Sequence, residues 1–147
     1  MLYHAYILTI AMVLFIYAGY EGYAVARGKM SKEKSRHRIA TYSAYALFLI
    51  ALFIYFGFES KTISSIPGAK EAVKNSGFLI PHVISITLST LLLSIAIVLG
   101  FIKRKVLFEN GIKKTEIVHI VLGSLGIFFY IIAVLSGLAM YMKAGLL

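Results

Sequence analysis

Long apolar runs separated by short hydrophilic gaps organise this chain. Four runs stand out, at about Tyr3–Ala26, Ile39–Phe58, Phe78–Ile102 and Ile117–Met142. Each is near or above the ~20 residues that carry a helix across the hydrocarbon core of a bilayer. Short gaps between successive runs favour antiparallel neighbours. The pattern therefore predicts an all-α membrane protein, one domain over residues 1–147, with four transmembrane helices in an up-down-up-down antiparallel bundle. The second gap holds Ser64, Ser65, Pro67 and Gly68, then Asn75, Ser76 and Gly77. A short surface helix over about Pro67–Lys74 fits between these breakers, and Pro81 suits the first turn of the third span.

Composition supports lipid as the solvent. Of the 147 residues 60% are hydrophobic and 14% charged, more apolar surface than a soluble domain of this length can hide. The first apolar run is as long as a full span and no basic segment precedes it, so it does not read as a cleaved signal peptide. The net charge of +9 is unevenly placed. Arg27, Lys29, Lys32, Lys34, Arg36 and Arg38 fall in the first gap, and Lys103, Arg104, Lys105, Lys113 and Lys114 in the third. The second gap and the C-terminal end together carry four: Lys61, Lys70, Lys74 and Lys143. Such a bias is a topology signal rather than a nucleic-acid footprint, and no nucleic-acid partner is expected. It puts gaps one and three in the cytoplasm and both termini outside, in a multi-pass protein of the cell (plasma or inner) membrane. Cysteine is absent, which removes disulfides, thiolate metal sites, iron–sulfur clusters and covalent haem attachment.

Four histidines change the picture. His4, His37, His82 and His119 fall one per helix, each within the first few residues of its span. Antiparallel topology then puts His4 and His82 at the outer level, and His37 and His119 at the inner level. In a four-helix bundle spans one and three are diagonal, as are two and four. Two bis-histidine pairs therefore point into one core from opposite faces. Bundle cores are where facing helices build cofactor sites, and a haem iron takes two axial ligands. Zinc or non-haem iron fits less well, because two imidazoles alone are a poor site and no carboxylate is expected near the outer pair.

Each histidine also starts a matching stripe. Offsets of +4, +7, +11, +14 and +18 stay on one helical face. From His4 they give Leu8, Ala11, Phe15, Ala18 and Gly22; from His37, Thr41, Ala44, Phe48, Ala51 and Tyr55. From His82 they give Ile86, Ser89, Leu93, Ala96 and Gly100; from His119, Gly123, Gly126, Tyr130, Ala133 and Gly137. All four residues at +7 are small, all four at +11 are large, and all four at +14 are Ala. At 1.5 Å per residue, +14 to +18 lies ~21–27 Å along the helix, about the depth of the other histidine pair. A porphyrin edge sliding between helices needs small residues there, so Ala51 and Ala133 are expected to clear an outer haem, and Ala18 and Ala96 an inner one. The large residues at +11 would fill the bundle between the rings. Tyr55 departs from glycine at +18, which suits a haem edge or a propionate hydrogen bond.

Other residues carry weaker signals. Arg36 and Arg38 flank His37, and Lys103, Arg104 and Lys105 end the third span; all are candidate partners of inner haem propionates, although topology alone accounts for them. Glu21 is the only acid expected well inside a span. It suits proton transfer during quinone chemistry, pairing with Arg27, or snorkelling to the interface. Tyrosines near span ends read as an interfacial belt.

The pattern resembles the transmembrane di-haem cytochromes b, most closely the four-helix core of the cytochrome b-561 family. One histidine per core helix is shared, as is a span that reads HIVLGSLGIFFYIIAVLSGLAMY, opening on His119 and passing Gly123 and Gly137. The resemblance implies two b-type haems (haem B) and electron transfer across the membrane. It carries over His4 and His82 as ligands of the outer haem iron, and His37 and His119 as ligands of the inner. The flanking helices of six-helix members are missing and no ascorbate-site motif matches. The electron donor and acceptor therefore stay open between quinone and a partner redox subunit of a larger oxidoreductase. Two other readings compete: a haem-free accessory or assembly protein of a respiratory complex, and a small transporter or channel, against which the scarcity of buried charge argues.

Overall fold

The structure, a computed structural model, describes residues 3–31, 34–110 and 113–147, with the backbone alone described at 103–110 and 113–116. Its helices are α1 (Tyr3–Ala26), α2 (His37–Ile54), α3 (Ser60–Ser65), α4 (Ala69–Asn75), α5 (Leu79–Asn110) and α6 (Lys113–Lys143). Four stretches are long and apolar enough to cross a membrane: Tyr3–Ala26, His37–Ser65, Leu79–Ile102 and Ile117–Lys143. Ile39, Phe53, Ile80, Phe101 and Leu135, among many others, are exposed on the outside of the bundle. An apolar surface so continuous belongs against lipid rather than water.

The first helix keeps the bounds expected from hydropathy, while the others run further. The second span begins at His37 and passes through a π turn at Tyr55–Glu59 into α3. The turn is marked by the Ser60 N–H, which bonds the Tyr55 carbonyl five residues back. Helices α5 and α6 continue beyond their apolar runs, because Lys, Arg and Glu are good helix formers and the hydrogen-bond ladder does not stop where hydropathy falls. The surface helix starts at Ala69 rather than Pro67. Gly68 has φ of +75°, a left-handed conformation that closes the turn ahead of α4.

Packing is antiparallel. The start of α1 lies by the end of the second span and by the end of α6, since His4 touches Tyr55, Glu59 and Tyr141. Helix α5 packs along α6, and α1 along both α2 and α6. Tyr45 and Ser94 close the remaining side, their hydroxyl oxygens 2.7 Å apart between α2 and α5. Helices α1 and α5 are thus one diagonal, and α2 and α6 the other.

The four stripes meet in the middle. Leu8, Ala11 and Phe15 of α1, Ala44, Phe48 and Ala51 of α2, Leu93 of α5, and Tyr130 and Val134 of α6 form one buried cluster. The residues at +11 make its centre: the Tyr130 ring is 5.2 Å from Phe15 and 5.6 Å from Phe48, both edge-on. Edge-to-face aromatic pairs add to dispersion, and dispersion has to hold the bundle because lipid offers no hydrophobic contrast. The Tyr130 hydroxyl donates to the Leu8 carbonyl at 3.3 Å. At +7, Gly126 permits close approach of α5 and α6; a Cβ there would sit 2.8 Å from the Leu93 side chain and 3.1 Å from its backbone nitrogen.

Truncating Tyr130 should therefore be costly. Tyr130→Ala is expected to destabilise the bundle by about 3 kcal/mol or more, whereas Phe128→Ala, on the exposed surface, should change stability by about 0.5 kcal/mol or less. Denaturant titration in detergent micelles checks both.

Candidate functional site

Each histidine level has its own cavity. One is lined by His4 and His82 together with Ala5, Leu8, Ala133, Gly137 and Tyr141. The other is lined by His37 and His119 together with Phe15, Ala18, Thr41, Leu93, Ala96 and Gly123. The grouping by level and by diagonal is the one expected from the sequence. Ala133 lines the pocket of His4 and His82, and Ala18 and Ala96 that of His37 and His119; Ala51 is buried in the core cluster but lines neither. The His37 and His119 rings have centres 6.1 Å apart and planes at 87° to each other.

Three of the four histidines are held in the same way. His37 Nδ1 lies 2.7 Å from the Ala18 carbonyl oxygen, His82 Nδ1 2.8 Å from that of Ala133, and His119 Nδ1 2.8 Å from that of Ala96. A carbonyl only accepts, so Nδ1 carries the proton in each and Nε2 carries the lone pair. That is the tautomer a metal-ligating imidazole needs, fixed by the outer hydrogen bond that orients such ligands. Each acceptor is the +14 alanine of the adjacent antiparallel helix. One turn further, the +18 glycine makes room for the ring. A Cβ at Gly22 would lie 2.9 Å from His37, one at Gly137 2.9 Å from His82, and one at Gly100 3.1 Å from His119. The small residues expected to clear a porphyrin edge thus have an observed duty as well: they seat the histidine of the neighbouring helix.

His4 departs from the other three. Its Nδ1 bonds the Glu59 carboxylate, and its backbone N–H donates to the other oxygen of Glu59 at 3.2 Å. Both residues are buried, 5% and 6% exposed. The expectation that no carboxylate lies near the outer pair is therefore corrected, and so is that of Glu21 as the only acid well inside a span. Hydropathy ends the apolar run at Phe58, whereas the helix continues through its π turn and buries Glu59. A signal was present: Glu59 is at +22 from His37, the next position of the same stripe. Tyr55, at +18 where the others have glycine, packs against the His4 ring at 5.0 Å. The Ala51 carbonyl, at +14, accepts the Tyr55 N–H of its own helix, while His4 takes Glu59.

Glu21 is buried and structural. It accepts the backbone N–H of Arg36 at 2.8 Å and the Tyr17 hydroxyl at 2.9 Å, tying the first loop to the N-terminus of α2, where a negative charge is favourable. Neither the expected pairing with Arg27 nor snorkelling is observed; Arg27 Nε donates to the Tyr23 hydroxyl at 2.9 Å. Arg36 and Arg38 are exposed on either side of His37. The side chains of Lys103, Arg104, Lys105, Lys113 and Lys114, and Lys32 altogether, lie outside the described residues.

No family model, no curated protein and no solved structure matches the chain. Among the described residues no three His, Asp or Glu side chains are grouped to hold a bare ion. Two imidazoles from diagonal helices suit a metal whose other positions are already filled, and the 6.1 Å between the His37 and His119 ring centres is close to the spacing of two imidazoles on one metal, roughly 6 Å for metal–nitrogen bonds of about 2 Å.

The seating of the rings is testable without any cofactor. Gly137→Ala should push His82 off the Ala133 carbonyl and destabilise the protein by about 1–3 kcal/mol, while Gly57→Ala, which meets nothing within 4 Å, should leave it close to wild type. Thermal unfolding in detergent compares the two; equal effects would contradict the cradle.

Proposed function

We propose that the chain is a membrane-embedded di-haem b-type cytochrome that carries electrons across the bilayer, in a cell (plasma or inner) membrane. The observation that carries this reading is the set of four histidines gathered as two diagonal pairs, each pair lining a cavity of its own, with Nδ1 engaged so that Nε2 is the ligating atom. His4 and His82 would hold the outer haem, and His37 and His119 the inner. When bound, such a group supplies a one-electron carrier at each level.

The chain's own residues do the rest. The Ala18, Ala96 and Ala133 carbonyls fix the ring orientation and tautomer of three ligands, and Glu59 those of the fourth. Phe15, Phe48, Leu93 and Tyr130 fill the interval between the cavities and exclude water from it. Ala51, with Ala133, would leave clearance for the outer porphyrin and Ala18 with Ala96 for the inner. Arg36 and Arg38 are the proposed partners of inner propionates, as cations immediately flanking His37. The charge bias of the gaps puts the Arg36 end in the cytoplasm and both termini outside. This is the architecture suggested by the resemblance to the cytochrome b-561 core. The donor and acceptor are open between quinone and a partner redox subunit.

Pyridine haemochrome analysis of the purified protein should give two b-type haems per chain, with a reduced-minus-oxidised spectrum of low-spin, bis-histidine haem; folded protein that takes up none would overturn the proposal. The sites should also be separable. His82→Ala should remove one spectral component and His119→Ala the other, because each haem draws on one diagonal. Loss of the same component in both variants would contradict the pairing.

A further inference from the structure

Three of the histidines share a neutral acceptor and one does not. His37, His82 and His119 place Nδ1 on alanine carbonyls at 2.7–2.8 Å, while His4 places it on the carboxylate of Glu59. The arrangement at Glu59 is specific. Glu59 lies at the end of the π turn Tyr55–Glu59, its second oxygen takes the His4 backbone N–H, and it is 6% exposed. Tyr55 and Tyr141 wall the His4 ring at 5.0 and 5.7 Å. The carbonyl seat of the other three sites is closed on this helix: Ala51 stands at the corresponding +14 position, but Tyr55 occupies the +18 position where the others have the glycine that admits the ring.

A carboxylate accepts a stronger hydrogen bond than a carbonyl does. It draws the Nδ1 proton further from the ring and makes Nε2 the better electron donor, and outer hydrogen bonding of this kind tunes a bound metal. We propose that Glu59 is a positioning residue that sets the two redox sites apart, holding the outer site's reduction potential below the value a carbonyl-bonded His4 would give. The effect stabilises the oxidised iron of the site ligated by His4 and His82 and leaves the inner site alone. It gives a four-histidine bundle with near-repeating stripes two unequal carriers. The inference rests on the di-haem reading.

Redox titration of wild type and Glu59→Gln, followed optically with both haems bound, tests it. Glu59→Gln keeps a hydrogen-bond acceptor of the same shape without the charge. The outer component should shift to higher potential while the inner component stays within error. Two haems with no relative shift would overturn the assignment to Glu59, whereas wild-type protein without haem would overturn the di-haem reading itself. A second measurement needs no variant. In the reduced, diamagnetic wild-type protein the Nδ1 proton of His4, assigned by 15N-histidine labelling, should resonate well downfield of the other three. Four similar resonances would contradict the proposal even if Glu59→Gln shed its outer haem.

Discussion

The hydrogen bond from a histidine Nδ1 to the neighbouring helix's backbone is the constraint on which the rest of this bundle depends. In an apolar interior an imidazole N–H without an acceptor costs several kcal/mol at the upper end of transfer scales. Helical carbonyls are normally committed to their own ladder, but each has a second lone pair. Reaching it requires the ring to lie almost on the neighbouring backbone. That requirement accounts for alanine at the acceptor position and glycine one turn beyond it, where a Cβ would fall within about 3 Å of the ring at Gly22, Gly100 and Gly137. The same bond decides which nitrogen keeps the lone pair. One contact therefore links composition, helix spacing and ligand chemistry.

The centre of the bundle follows from the ends. Once histidines occupy both levels, ~21–27 Å apart along the axis, the interval must be filled by side chains large enough to pack without strain. Phe15, Phe48, Leu93 and Tyr130 do this, supported by small residues at +7 that let the backbones approach. This aromatic packing separates the two cavities. The end of the bundle that holds His4 departs from the pattern of the other three histidines in having Glu59 in place of a carbonyl acceptor and Tyr55 in place of a glycine, at either end of the π turn.

Much of this was legible before any coordinates. Span number, the level pairing and the convergence of the stripes all follow from helical periodicity and antiparallel order, which the sequence states directly. The partners of the stripe residues were not. Offsets report depth and face, but not which neighbouring helix comes closest, so Ala18, Ala96 and Ala133 were assigned to porphyrin clearance alone when their carbonyls also receive histidines. Glu59 was missed because hydropathy ends the second span at Phe58, and no local signal announces a π turn. For Glu21 the depth was readable and the partner was not, since the first loop must fold back before the Arg36 N–H can reach it.

The most direct test of the central claim is the position of iron itself. An anomalous difference map at the iron absorption edge, from crystals of the haem-reconstituted protein, should show two peaks per chain. One should lie between His4 and His82 and the other between His37 and His119, each on the Nε2 atoms. A single peak, or iron bridging histidines of adjacent rather than diagonal helices, would contradict the account.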